Sequence, residues 1–160
     1  MYAFAPSAGA DAAETWRELT AAAVAITAGE PDAVANMANV AALIAEFVPR
    51  LNWSGFYRVI DDKLVLGPFI GKPACIRIEM GAGVCGTAAQ AARTQLVRDV
   101  HAFPGHIACD AASRSEVVVP VLREGRVIAV IDLDSPEPAR FDEADAAGLE
   151  ALAAAIAARI

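Results

Sequence analysis

The chain is short of positive charge. Thirteen lysines and arginines face 20 acids, for a formal charge of −7. Nucleic acid and anionic membrane surfaces both select a basic face, so neither is expected as a partner. No apolar run approaches the roughly 18 residues a transmembrane helix needs. The N-terminus lacks a basic segment leading into an apolar core, so no secretory signal is expected. The expectation is a cytoplasmic protein. Cysteine is scarce and odd in number: Cys75, Cys85 and Cys109. That count excludes a structural disulfide framework and leaves two readings, small buried hydrophobes or reactive thiols. His101 and His106 are the only histidines. With Cys85 and Cys109 they offer four zinc ligands, but there is no C-x-x-C pair and the spacings match no standard zinc module. No metal is therefore expected. Internal repeats, low-complexity tracts and linkers are also missing.

What is present is apolar. Hydrophobic residues make up 56% of the chain and charged ones 21%, which excludes a disordered polymer. Alanine supplies about a quarter of the residues, concentrated in the terminal thirds. At 160 residues the chain makes one domain that hides roughly 70% of its unfolded surface.

Residues 1–10 carry proline and glycine and read as a flexible N-terminus ahead of a single domain over 11–160. Asp11, with Glu14 three residues on, marks the start of a helix whose stripe is Trp16, Leu19, Ala23 and Ile26. Gly29 ends it. Pro31 opens a second helix with Val34, Met37, Ala41, Ile44 and Val48 in phase, stopped by Pro49. Residues 53–60 and 63–70 flank Asp61-Asp62 and read as a hairpin. Residues 75–80 alternate, with Ile76, Ile78 and Met80 on one face. Gly81, Gly83 and Gly86 lead into a short helix through about Ala92, and 95–100 is a weak strand. Residues 101–115 form a long loop without periodicity, a length that is usually functional. A second hairpin, 116–123 and 126–134, turns at Glu124-Gly125, and a helix from about Asp142 ends the chain. The order predicts an α+β fold: a six-stranded, mainly antiparallel sheet with the N- and C-terminal helices packed on one side. The alanine-lined terminal helices also suggest a homodimer seam.

The final strand breaks its apolar run with Asp132 and Asp134, which share a face about 7 Å apart. Two carboxylates so placed repel and resist dehydration unless something positive or hydrogen-bonding meets them. Either the strand frays into solvent at Ser135-Pro136 or the pair belongs to a site. Glu116, on the partner strand, joins them only if it lies opposite an even-numbered residue. That parity predicts an odd-length loop, such as a three-residue turn with Gly125 at positive φ and a bulge; a two-residue turn would send Glu116 to the other face. Three converging carboxylates have two uses: metal binding, although oxygen-only sites normally recruit carbonyls and more ligands than this stretch offers, or recognition of an ammonium group, with one carboxyl kept protonated as an acid; the cluster alone does not choose. Cys85 follows Gly81-Ala82-Gly83 at a helix start, where N–H groups favour a thiolate. Cys109 lies in the long loop, and Cys75 opens a strand. Thiols beside such carboxylates point to redox chemistry, one attacking and another closing a disulfide. His101 and His106 read as loop histidines bonded to backbone, with pocket shaping as the alternative.

The strings NWSGFY (52–57), LVLGPFIGKPACIRI (64–78), GAGVCGTA (81–88), DVHAFPGHIACDAASRSEVVVPV (99–121) and VIAVIDLDS (127–135) closely resemble the free methionine-(R)-sulfoxide reductase family, whose members are single GAF domains. The resemblance spans about residues 36–160. It implies a GAF-type domain with a short helix and loops over the pocket. It further implies Cys109 as attacking cysteine, Cys75 as the usual resolving cysteine and Cys85 as a third that shares that role. Glu116, Asp132 and Asp134 match acids that bind the substrate amino group and assist the sulfoxide oxygen. Trp53 and Tyr57 match aromatics closing the pocket around the sulfur and its methyl. No cofactor is bound in such a scheme. A thioredoxin-type reductant, fed by NADPH through thioredoxin reductase, reopens the disulfide. The alternatives are a non-catalytic GAF module that binds a small molecule and a thiol redox sensor. Regulatory GAF domains usually sit beside an output domain, and 160 residues are not expected to hold one.

Overall fold

The computed structural model describes residues 4–107 and 110–160. Helix α1 (Ala12–Ile26) starts at Asp11, whose side chain accepts from the Glu14 amide at 2.8 Å. Helix α2 (Ala33–Phe47) is capped in the same way by Asp32 on the Ala35 amide. Pro31 thus sits just ahead of the cap and not in the first turn, because Asp32 takes the capping role. The strands are β1 (Trp53–Ile60), β2 (Lys63–Gly71), β3 (Arg77–Glu79), β4 (Gln95–Val97), β5 (Ser115–Arg123) and β6 (Arg126–Ser135). Between β3 and β4 lies α3 (Gly83–Ala91), and α4 (Glu143–Ile156) follows β6. The six strands form one sheet in the order β3-β2-β1-β6-β5-β4, with every neighbouring pair antiparallel.

Strand alternation divides the apolar residues between two cores. Phe56, Val117, Val119, Ile131 and Leu133 face α1, α2 and α4. Tyr57, Val118 and Val130 face α3, which contributes Val84, Cys85 and Ala88. The terminal helices therefore pack on one side of the sheet, as expected, and α3 with its loops covers the other. Contact between α1 and α4 is tight. A Cβ at Gly148 would stand 2.2 Å from Cγ of Trp16, so the indole lies on bare backbone. The Trp16 Nε1 donates to Asp145 at 3.0 Å, and the other Asp145 oxygen receives Arg140 and the Asp142 amide.

Three expectations change. Residues 75–80 do not all belong to a strand. Only 77–79 pair with β2, and Ile76, 67% exposed, is not on a buried face with Ile78. The strand near 95–100 is confined to 95–97, since Asp99 accepts from the His101 amide and starts a short 3₁₀ turn at Val100–Ala102. Finally, the second hairpin turns in two residues. Glu124 (φ 51°) and Gly125 (φ 76°) form the turn, and Arg123 pairs with Arg126. That register alone would place Glu116 opposite Leu133. A bulge intervenes, since Leu122 pairs with Val127 but Val121 pairs with Ala129, leaving Ile128 extra. Beyond it Glu116 lies opposite Asp134. The even pairing holds, through a bulge within the strand in place of a longer turn. Of residues 1–10, Phe4 packs against the core and Ser7 binds the Glu18 carboxylate through its amide and hydroxyl, which holds that carboxyl below its usual range.

Candidate active site

The bulged hairpin places Glu116, Asp132 and Asp134 on the sheet face beneath α3. Gly55 and Trp53 of β1 lie opposite Asp132 and Asp134 in the register, on the same face. Together with Tyr57, Cys85 and His106, the three acids line a cleft between the sheet, the start of α3 and the loop after β4. Glu116 and Asp132 are each only 6% exposed, which rules out the alternative of a fraying strand.

Burial decides the protonation of the site. Desolvation, then the fields of Asp132 and Asp134, push Glu116 well above the usual carboxylate range. Asp132 is raised to about 7 by burial, restrained by hydrogen bonds from Cys85 and Glu116. Asp134 is also raised well up, by burial and then by Asp132, against a hydrogen bond from Ser113. Burial thus favours the protonated form of Glu116, and Asp132 sits near its titration point at neutral pH.

Cys85 departs from the sequence reading. It does lie in the first turn of α3, yet full burial and the charges of Asp132 and Glu116 hold its pKa well above the ordinary thiol value. A helix N-terminus contributes about 1 kcal/mol, too little against desolvation beside carboxylates. Cys85 is thus a thiol, with Sγ 3.2 Å from Asp132 Oδ2 and 4.0 Å from Glu116 Oε1. Cys75 is half-buried between β2 and β3 and packs against the core under α3. Cys109 lies outside the described residues.

His106 reaches the cleft, its Nε2 3.8 Å from Glu116 Oε2. Burial and His101 lower its pKa, so it is neutral and the contact is not an ion pair. The pocket-shaping alternative is the one the geometry favours for His106, whereas His101 is exposed. Tyr57 lines the cleft. Trp53 stacks beside it, with ring centroids 5.9 Å apart, and on Phe69 at 5.2 Å. Sequence reasoning missed the loop's anchor. Asn52 donates to Ser113 at 3.0 Å and to Asp110 at 3.1 Å, and Asp110 accepts from the Ala112 amide and Lys72. The Ala112 bond, followed by Asn52 and Lys72, holds Asp110 below its usual range. The one available signal was an unexplained polar residue before an apolar strand.

A GAF domain model matches residues 34–160. The free methionine-R-sulfoxide reductase of Escherichia coli K12 is 51% identical over 130 residues, 81% of this chain and 79% of its own. The Saccharomyces cerevisiae S288c protein of the same name is 44% identical over 133 residues, 78% and 74% of the two chains. This chain belongs to the GAF-domain family of free methionine-R-sulfoxide reductases. A family structure, that of the Neisseria meningitidis reductase in complex with its substrate, superposes with a TM-score of 0.94 at 46% identity, covering 99% of this chain and 95% of its own.

Proposed function

We propose that the chain reduces free methionine (R)-sulfoxide to methionine with its own thiols. The observation that carries this reading is the trio Glu116, Asp132 and Asp134 in one cleft, the first two buried, in a chain about half identical to reductases of that name. A free amino acid brings an ammonium group, which offsets the mutual repulsion of the acids. The Cys109 thiolate, whose role rests on the family motif, attacks the sulfoxide sulfur. Glu116 donates its proton to the departing oxygen, which ends on the Cys109 sulfur as sulfenic acid. Two electrons pass from the cysteine to the substrate, and methionine leaves. The Cys75 thiol condenses with the sulfenic acid, releasing water and forming a disulfide, and a thioredoxin dithiol returns both cysteines to thiols. Trp53 and Tyr57 close the apolar side around the sulfur and its methyl. Cys85 is the weaker candidate for resolution, because it is held as a buried thiol. The alanine-lined outer faces of α1 and α4 are the proposed homodimer seam.

Protein supplied with thioredoxin, thioredoxin reductase and NADPH should oxidise NADPH on addition of free methionine (R)-sulfoxide, and Cys109→Ser should abolish this. No turnover in the wild type, or unchanged turnover in the variant, sinks the reading. Cys75→Ser should leave the sulfenic acid trappable by a dimedone-type probe, whereas Cys85→Ser should not.

A further inference from the structure

The geometry points to a second ligand for the cleft: a zinc ion held by Cys85, Asp132, Glu116 and His106, which blocks the site until it is removed. Ligand atoms of Cys85, Glu116 and Asp132 all lie within 4.8 Å of one another and all three residues are buried. The Sγ of Cys85 is 3.2 Å from Asp132 Oδ2 and 4.0 Å from Glu116 Oε1, and His106 Nε2 is 3.8 Å from Glu116 Oε2. Tetrahedral zinc with Zn–S near 2.3 Å and Zn–N/O near 2.0 Å sets its ligand atoms about 3.3–3.5 Å apart. Small side-chain shifts would bring Cys85, Glu116 and Asp132 into that geometry, and His106, which lies outside that close group, would swing in from its place beside Glu116 to complete it.

A second observation is independent of the clustering. The Asp132 Oδ1, on a residue 6% exposed that lines the cleft, has no hydrogen-bond partner among the described residues. Burying a carboxylate oxygen without a partner is costly, and a bound cation would offset that cost. One sulfur, one imidazole and two carboxylates select a borderline-soft ion over magnesium or calcium, which favour all-oxygen shells. Chain spacing hides the set because its members come from α3, β5, β6 and a loop. Binding displaces the Cys85 thiol proton, and the proton held by Glu116, to solvent. The ion would take the place assigned above to the substrate ammonium, and only this inhibitory consequence rests on the proposed function.

Cobalt is the spectroscopic probe. In a Cys75→Ser, Cys109→Ser variant, where Cys85 is the sole thiol, Co²⁺ should bind one per chain. It should show a thiolate-to-cobalt charge-transfer band in the near ultraviolet that Zn²⁺ erases and Mg²⁺ does not. Adding Cys85→Ser should remove the band. His106→Gln should weaken Zn²⁺ binding about tenfold or more. In the wild type, Zn²⁺ should inhibit turnover competitively with free methionine sulfoxide, and a chelator should restore it. Absence of the band, its persistence without Cys85, its displacement by Mg²⁺, or unaltered affinity in His106→Gln each overturns the proposal. Band and binding without any reductase activity would uphold the metal site while refuting the functional reading.

Discussion

Asp132 is the residue on which protonation turns. Burial raises it to about 7 from the ordinary aspartate value of 3.8. Between those values the folded chain holds a proton that the unfolded chain has released. Stability therefore falls as pH rises through that window and levels off above it. A shift of this size corresponds to a few kcal/mol. Thermal melts should accordingly show a higher Tm near pH 5.5 than near pH 7.5, and Asp132→Asn should reduce the difference, Glu116 and Asp134 supplying the remainder. An equal pH slope in the variant would remove Asp132 as its source. Cys85 allows a separate check. With Cys75 and Cys109 replaced by serine, iodoacetamide at pH 8 should label the folded protein at least about tenfold more slowly than the urea-unfolded chain. Labelling at equal rates would mean that the thiol is neither buried nor held protonated.

At the scale of elements, the helices and hairpins were legible because their signals are local. Asp11, Asp142 and the Asp61-Asp62 and Glu124-Gly125 turns all act within a few residues of themselves. The convergence of Glu116 on Asp134 was legible only as a parity condition, since the extra residue that satisfies it, Ile128, looks like any other apolar strand position. Nor could the state of Cys85 be read from its helix-start motif, because the carboxylates that override it are 31 and 47 residues away. His106 and Asn52 carry no periodicity at all, so only the folded loop reveals their partners. The α1–α4 seam yields its own prediction. Gly148→Ala gains helix propensity worth about 1 kcal/mol but drives a Cβ into the Trp16 indole, at 2.2 Å from Cγ. The net effect should be a loss of about 1–2 kcal/mol in chemical denaturation. Adding Trp16→Leu should cost less than the two changes summed. Strict additivity would show that the ring does not set the spacing of the helices.

For the whole molecule, the site lies on one face of the sheet: helices seal the other side, while α3 and its loops roof this one. None of the described helices is long and apolar enough to cross a membrane. A cleft floored by buried acids should reward a free ammonium group. Masking that group as an N-acetyl amide removes charge-assisted hydrogen bonds worth about 3 kcal/mol, so kcat/KM should fall about a hundredfold relative to free methionine (R)-sulfoxide. Comparable rates on the acetylated compound would place the amino group outside the acid cluster.

The extra residue in β6 acts on this hairpin as a reading frame acts on a message. Insert or delete one residue between Glu116 and Asp132, and every side chain beyond the change trades the cleft for the helical core, sending an acid into hydrocarbon and a valine into the cleft. Length changes here are expected to be tolerated in pairs, or where a second bulge restores phase. Hairpin length in relatives then becomes a test of inheritance: a chain that keeps the acids but differs by one residue must show where its compensating bulge lies.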